Sequence, residues 1–235
     1  MKTPLYLITQ LGFVILTFTI YTFLLTGLKK ALAKTSWDER KKKSIYKHVV
    51  FSILGWTIFI SSLSLSGFFQ DFSSMPPRFV ILLVVPMITI VIVTFSKSMK
   101  EIAPHIPASN VIKLQVFRVF VEILLWMLFL QNALPVQMTF EGRNFDVLSG
   151  LTALPAAYFL AKSRKGLIIW NLLSLGLLVN VVSIAILSLP TPFRIFENQL
   201  TIVAYFPFVW LPGLLVPLAY GLSFISLLQL REHTR

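Results

Sequence analysis

Residues 110–135, NVIKLQVFRVFVEILLWMLFLQNALP, form an apolar run long enough to cross a bilayer, yet they place Arg118 and Glu122 inside it. A hydrocarbon core of roughly 30 Å takes about 20 helical residues, and a charge at its centre costs at least about 2.5 to 3.5 kcal/mol. The run is predicted to be a transmembrane helix whose charges face protein or water, not lipid. Counted from Ile112, Arg118 lies roughly 9 Å deep and Glu122 roughly 15 Å deep at 1.5 Å per residue. With a turn of roughly 100° per residue, Gln115, Arg118, Glu122 and Trp126 share one stripe. Arg118 and Glu122, one helical turn apart, are expected to pair directly.

The rest of the chain has the same character. Of 235 residues, 56% are hydrophobic and 13% charged, a balance that leaves a soluble domain more apolar surface than it can cover. The expected fold is all-α: a polytopic integral membrane protein, one domain over residues 1–235, built as a seven-transmembrane-helix bundle. The spans are expected at about residues 5–28, 48–69, 78–95, 111–134, 147–161, 167–189 and 201–230. The first is expected to be a span and not a secretory signal, because only Lys2 precedes it while Lys29, Lys30 and Lys34 follow. Ser36-Trp37-Asp38-Glu39 fits a capping box, so a helix is expected to start there and run on into the membrane. The fifth span is short and interrupted by Gly150 and Pro155. The seventh carries Pro207, Pro212 and Pro217, which predict kinks and freed carbonyls.

Charge sets the expected threading. The net charge of +12 sits in short loops, a pattern that orients membrane proteins and does not call for nucleic acid. Sixteen basic residues fall in the first, third and fifth loops and the tail, and four on the other side. The expectation is therefore an N-terminus outside, a C-terminus in the cytoplasm, and residence in the inner or plasma membrane of the cell. The 29–47 stretch holds eight of these basic residues and is a candidate contact for anionic lipid, at about 1 kcal/mol per basic residue.

Two constellations could carry chemistry. In the first, Gln115, Arg118 and Glu122, the glutamate carries a proton or a cation and the arginine holds an anionic group. The alternative is an ion pair that ties helices together. The second is Thr139 to Asp146, where Glu141, Arg143, Asn144 and Asp146 crowd around Gly142 just before the short fifth span. Asn144 or Asp146 is expected to cap that helix, leaving Arg143 at its N-terminus where an anion is favoured. The site reading gains support if Arg194 and Glu197 of the last outer loop fold over it. Asn171 and Ser174 lie on one face of the sixth span, and Asn180 with Gly176 and Ser183 on another, residue types that knit membrane helices together.

Other chemistry is excluded or finds no support. With no cysteine, disulfides, thiolate metal sites and cysteine nucleophiles are absent. The three histidines, His48, His105 and His233, all fall at or beyond the cytoplasmic edge, so neither a metal site nor a cofactor is expected. A retinal Schiff base needs a lysine in the last helix, and residues 201–230 have none. A three-plus-one-plus-three repeat finds no aligned halves. Three functional readings stay open: a transporter or ligand-binding protein with an outward polar pocket and a mid-membrane Arg/Glu pair, a membrane-embedded enzyme on a lipid or isoprenoid, and a sensor or assembly subunit.

Overall fold

The structure, a computed structural model, describes residues 3–74, 76–160 and 163–232. Lys2, Ala161, Lys162, His233, Thr234 and Arg235 of the expected elements lie outside these. The described residues are helical and contain no strand. Four helices are long and apolar enough to cross a membrane: α1 (Pro4–Ala33), α2 (Glu39–Leu65), α8 (Arg164–Ser188) and the segment Leu211–Leu230 at the chain's end. A fifth span results if α3 (Val80–Phe95) is joined to the bent continuation Lys97–His105, which turns away by 55°. That continuation begins as α4 (Lys97–Ile102), whose N-cap Ser96 accepts from the Met99 amide.

The structure departs from the expected spans in the middle of the chain. Residues 110–135 do not form one helix but two, α5 (Ala108–Leu114) and α6 (Phe117–Phe129). Across the junction the amides of Gln115, Val116, Arg118 and Val119 all bond three residues back, at 3.0 to 3.1 Å. Such 3₁₀ bonding overwinds the chain and ends the regular α-helix. At 13 residues, α6 and α7 (Val147–Phe159) each span about 20 Å, short of a full hydrocarbon core. The described helices thus support four or five spans, not the expected seven. α2 also begins at Glu39, with Asp38 and not Ser36 at its N-cap. Gly150 and Pro155 do not interrupt α7, which runs unbroken through both.

The last helix is the interior one. In the apolar window of Leu211–Leu230, 67% of residues are buried, against 22% for α1 and 17% for α2. It opens as a π-helical turn, Leu211–Leu215, closed by a bond from the Val216 amide to the Leu211 carbonyl, and continues as α9 (Val216–Glu232). Proline explains the turn. Pro217 has no N–H to give the Gly213 carbonyl one turn back, and an unpaired carbonyl in lipid costs several kcal/mol. Trp56 of α2 supplies the missing donor, its Nε1 lying 2.9 Å from that oxygen. Ser64 of α2 likewise donates to the Ala204 carbonyl at 2.8 Å. α3, α5 and α8 pack around α9, while large apolar side chains such as Phe51 (71% exposed) and Ile92 (66%) face outward, where lipid would cover them.

α7 reaches its neighbours through a face of small residues, Ser149, Gly150, Ala153, Ala156 and Ala157, all buried. Small residues let membrane helices approach closely. At Gly150 the approach is close enough that an added Cβ would lie 2.7 Å from the Val119 backbone nitrogen. Alanine in place of a helical glycine gains about 1 kcal/mol of propensity, but overpacking costs about 1 to 3 kcal/mol, so the clash wins. Gly150→Ala is expected to lower the melting temperature in detergent. Gly176→Ala, with nothing within 4 Å of its added Cβ, should keep or raise it.

Candidate functional site

The two polar constellations converge. Arg118 is 2% exposed at the first turn of α6, and its guanidinium grips Asp146: Nε donates to one carboxylate oxygen at 2.7 Å and Nη2 to the other. Nη1 donates to the Ser174 hydroxyl of α8, and Nη2 also reaches the Ser174 carbonyl at 3.2 Å. The expected Arg118–Glu122 pair does not form. Side chains on a helix lean toward its N-terminus, so Arg118 leans away from a residue one turn ahead. Asp146 meanwhile offers both oxygens in the plane of the guanidinium fork.

Glu122, also 2% exposed, takes its hydrogen bonds from the loop. Asn144 Nδ2 lies 2.8 and 2.7 Å from its two oxygens and 3.0 Å from the Met138 carbonyl. The Asn144 side-chain oxygen in turn accepts from the Asp146 amide at 3.0 Å, an Asx-type turn that sets both residues facing inward. The loop is wound tightly on itself: the amides of Gly142 and Asn144 both donate to the Thr139 carbonyl. A Cβ at Gly142 would lie 2.2 Å from the Val136 carbonyl oxygen, so only glycine fits there. Asp146 does stand at the N-cap of α7, but its carboxylate makes no cap and is spent on Arg118.

The remaining candidates divide into helix ties and surface residues. Gln115 lies on α5's side of the break and donates to the Ala219 carbonyl and the Ser223 hydroxyl of α9, at 3.3 and 3.0 Å. Asn171 donates to Ser226 at 2.9 Å, tying α8 to α9. Asn180 donates to the Arg143 carbonyl at 2.9 Å. Trp126 does leave the stripe's core, since its indole donates to Glu141 at 2.5 Å while both Glu141 and Arg143 are exposed. The Arg143 guanidinium lies over the Phe196 ring, 5.6 Å from its centre. Of the outer-loop residues, Asp146 lines the groove described next, while Glu141 and Arg143 do not. Arg194 instead borders a separate shallow depression with Phe72, Ser73 and Pro190, and Glu197 is exposed.

What does form is an apolar groove with one charged end. Arg118, Glu122 and Asp146 lie along it, and the rest of the wall is hydrocarbon: Phe79 and Leu83 of the α3 region, Leu178, Val181, Val182 and Ala185 of α8, and Leu211, Leu215 and Ala219 of the π turn and α9. The cavity volume inside its walls is about 60 Å³, and about 710 Å³ when all the space between atoms and the open mouth is counted. The sequence reading singled out no residue of this wall except through its helices, because apolar residues facing a groove read the same as those facing lipid. Ser174 ties α8 to α6: its hydroxyl and carbonyl complete the arginine's hydrogen bonds.

A family described as Domain of unknown function (DUF8737) matches residues 75–231. That segment holds every residue of the charged cluster and all elements from α3 onward, and leaves α1 and α2 outside. No curated protein and no solved structure matches the chain.

Removing one partner of a buried ion pair strands the other, at a cost of about 3 to 5 kcal/mol, whereas replacing both by apolar residues is often neutral. Asp146→Asn is accordingly expected to destabilise the protein strongly in detergent melts. The double variant Arg118→Met, Asp146→Leu should recover most of that loss. A single variant that melts like the parent would remove the pair from the structural account.

Proposed function

The chain belongs to the family of that domain of unknown function, and on this footing we propose that it is a multi-pass membrane protein that binds and transports a small ligand with an apolar body, held in the groove with its polar head at Glu122. The observation that carries this is the groove itself: charged at one end, hydrocarbon elsewhere, and bounded by helices that are broken where they meet it. Arg118 follows the α5–α6 break directly, and Leu211 and Leu215 belong to the π turn. Discontinuous helices at a buried polar site are a recurring feature of secondary transporters. The enzyme reading is the weaker one, because both oxygens of Asp146 are engaged by Arg118, leaving Glu122 without a second free acid or base.

The proposed threading keeps the N-terminus outside. It does not depend on how α6 and α7 are counted. The two pack against each other, and as two short crossings or as one re-entrant hairpin they return the chain to the side it left. The basic residues of the 29–47 stretch then face the cytoplasmic leaflet. Lys29, Lys30, Lys34, Arg40, Lys43 and Lys47 are exposed there and would attract anionic headgroups. In native mass spectrometry, phosphatidylglycerol should stay bound in preference to phosphatidylcholine. Arg40→Gln, Lys43→Gln and Lys47→Gln together should erase that preference, and an unchanged preference would contradict the contact.

The absence of cysteine makes the groove directly testable by single-cysteine labelling. Val182→Cys, on the groove wall, is expected to react with N-ethylmaleimide in membranes. Leu128→Cys, fully buried and away from the groove, should not. For transport, a membrane-impermeant methanethiosulfonate should reach position 182 from both faces of sealed vesicles. Inertness of Val182→Cys equal to that of Leu128→Cys would show a closed core and refute the binding reading; access from one face alone would refute transport.

A further inference from the structure

The charged end of the groove does not balance. It holds one guanidinium and two carboxylates, all at least nine-tenths buried. Arg118 and Asp146 form a bidentate pair, and every guanidinium nitrogen is engaged by Asp146 or Ser174. Among the described residues no lysine, arginine or histidine forms a salt bridge to Glu122. Its hydrogen bonds come from the neutral Asn144 amide.

No other element supplies the missing charge. Arg118 is the charged neighbour on its own helix and Asp146 the one from the head of α7. From α9 the Tyr220 hydroxyl lies within the field of Asp146 and Arg118. α3 and α8 turn only uncharged side chains to the groove, Leu83 from the first, with Phe79 just ahead of it, and Leu178 and Val182 among those from the second. A carboxylate in such surroundings needs either a counter-charge or a proton. An anionic ligand would add a second negative charge beside it, and four of the five N–H donors of Arg118 are already engaged by Asp146 and Ser174. A neutral ligand would leave the imbalance in place. Aromatic rings along the wall, Phe79 and Phe117, are of the kind that favours ammonium groups.

We infer that the groove takes a lipophilic cation, an amine or quaternary ammonium with an apolar body, whose charge is balanced by Glu122, with a proton as the competing occupant. The inference rests on the binding reading of the same groove and narrows it to one ligand class.

Tritiated hexyltrimethylammonium tests it, because its charge does not titrate and any pH dependence of its binding comes from the protein. With the full chain in lipid nanodiscs, saturable binding is expected. It should weaken up to tenfold per pH unit on acidification, as protons neutralise Glu122. Glu122→Gln should reduce affinity at least tenfold and flatten the pH profile, while Glu122→Asp, which keeps the charge, should retain both. Unlabelled hexanol and hexyl sulfate serve as competitors and should displace the cation poorly. If Glu122→Gln does not fold, the pH profile of the parent still decides, since binding independent of pH would overturn the proposal. Hexanol competing as well as unlabelled cation would overturn the cation preference and leave groove binding intact. Failure of cation and hexanol alike to bind would remove the groove reading together with it.

Discussion

The buried pair between Arg118 and Asp146 is the interaction on which the interior of the bundle depends. It joins α6 to the head of α7, and through Ser174 it joins both to α8. A guanidinium cannot shed its proton to escape desolvation, so the chain must bring a carboxylate to it from elsewhere in the sequence. The loop before α7 does this. Its glycine at 142, its self-contained hydrogen bonds and the Asx turn at Asn144 present two side chains inward at a fixed spacing, one for Arg118 and one for Glu122. The groove exists where this polar knot meets the hydrocarbon faces of α8 and α9.

Much of this was legible before any coordinates. Apolar runs mark α1, α2, α8 and the last helix, because crossing a bilayer leaves a long and simple signature. The residues of the charged cluster were also visible, since ionisable side chains inside apolar runs are rare and Glu141 to Asp146 is dense in polar groups. Their pairing was not. Helical spacing offers Arg118 a partner at Glu122, whereas the actual partner lies 28 residues away across a turn. The direction in which helical side chains lean argued against the local pair, and it is a signal the stripe alone does not contain. The break at Gln115 and Val116 was hidden too: neither proline nor glycine stands there, and what accompanies the 3₁₀ bonds is a contact distant in sequence, the bonds of Gln115 to Ala219 and Ser223 of α9.

The last helix shows the opposite case, in which local sequence rules carry through. Its prolines predicted freed carbonyls, and one of these finds a donor in Trp56. α9 also gathers the cross-helix amide contacts of Gln115 and Asn171 on serines at 223 and 226, and Gln229 donates to the carbonyls of Ala103 and Ile106 at 2.7 Å. Polar side chains buried on one helix and answered from three directions fix its rotation more strictly than apolar packing does. That precision suits a helix that forms one wall of the groove.

The contact from Trp56 to the Gly213 carbonyl also bears on how the family is bounded. The matched segment begins at residue 75, after α2 has ended, yet the oxygen that Pro217 leaves without a donor is satisfied from α2. The unit that is shared and the unit that is hydrogen-bond complete are thus different pieces of chain. A relative built from the shared piece alone would carry an orphaned carbonyl at the start of its central helix. It would have to lose the proline, or recruit an indole, hydroxyl or amide from a second polypeptide to fill the place that α2 fills here.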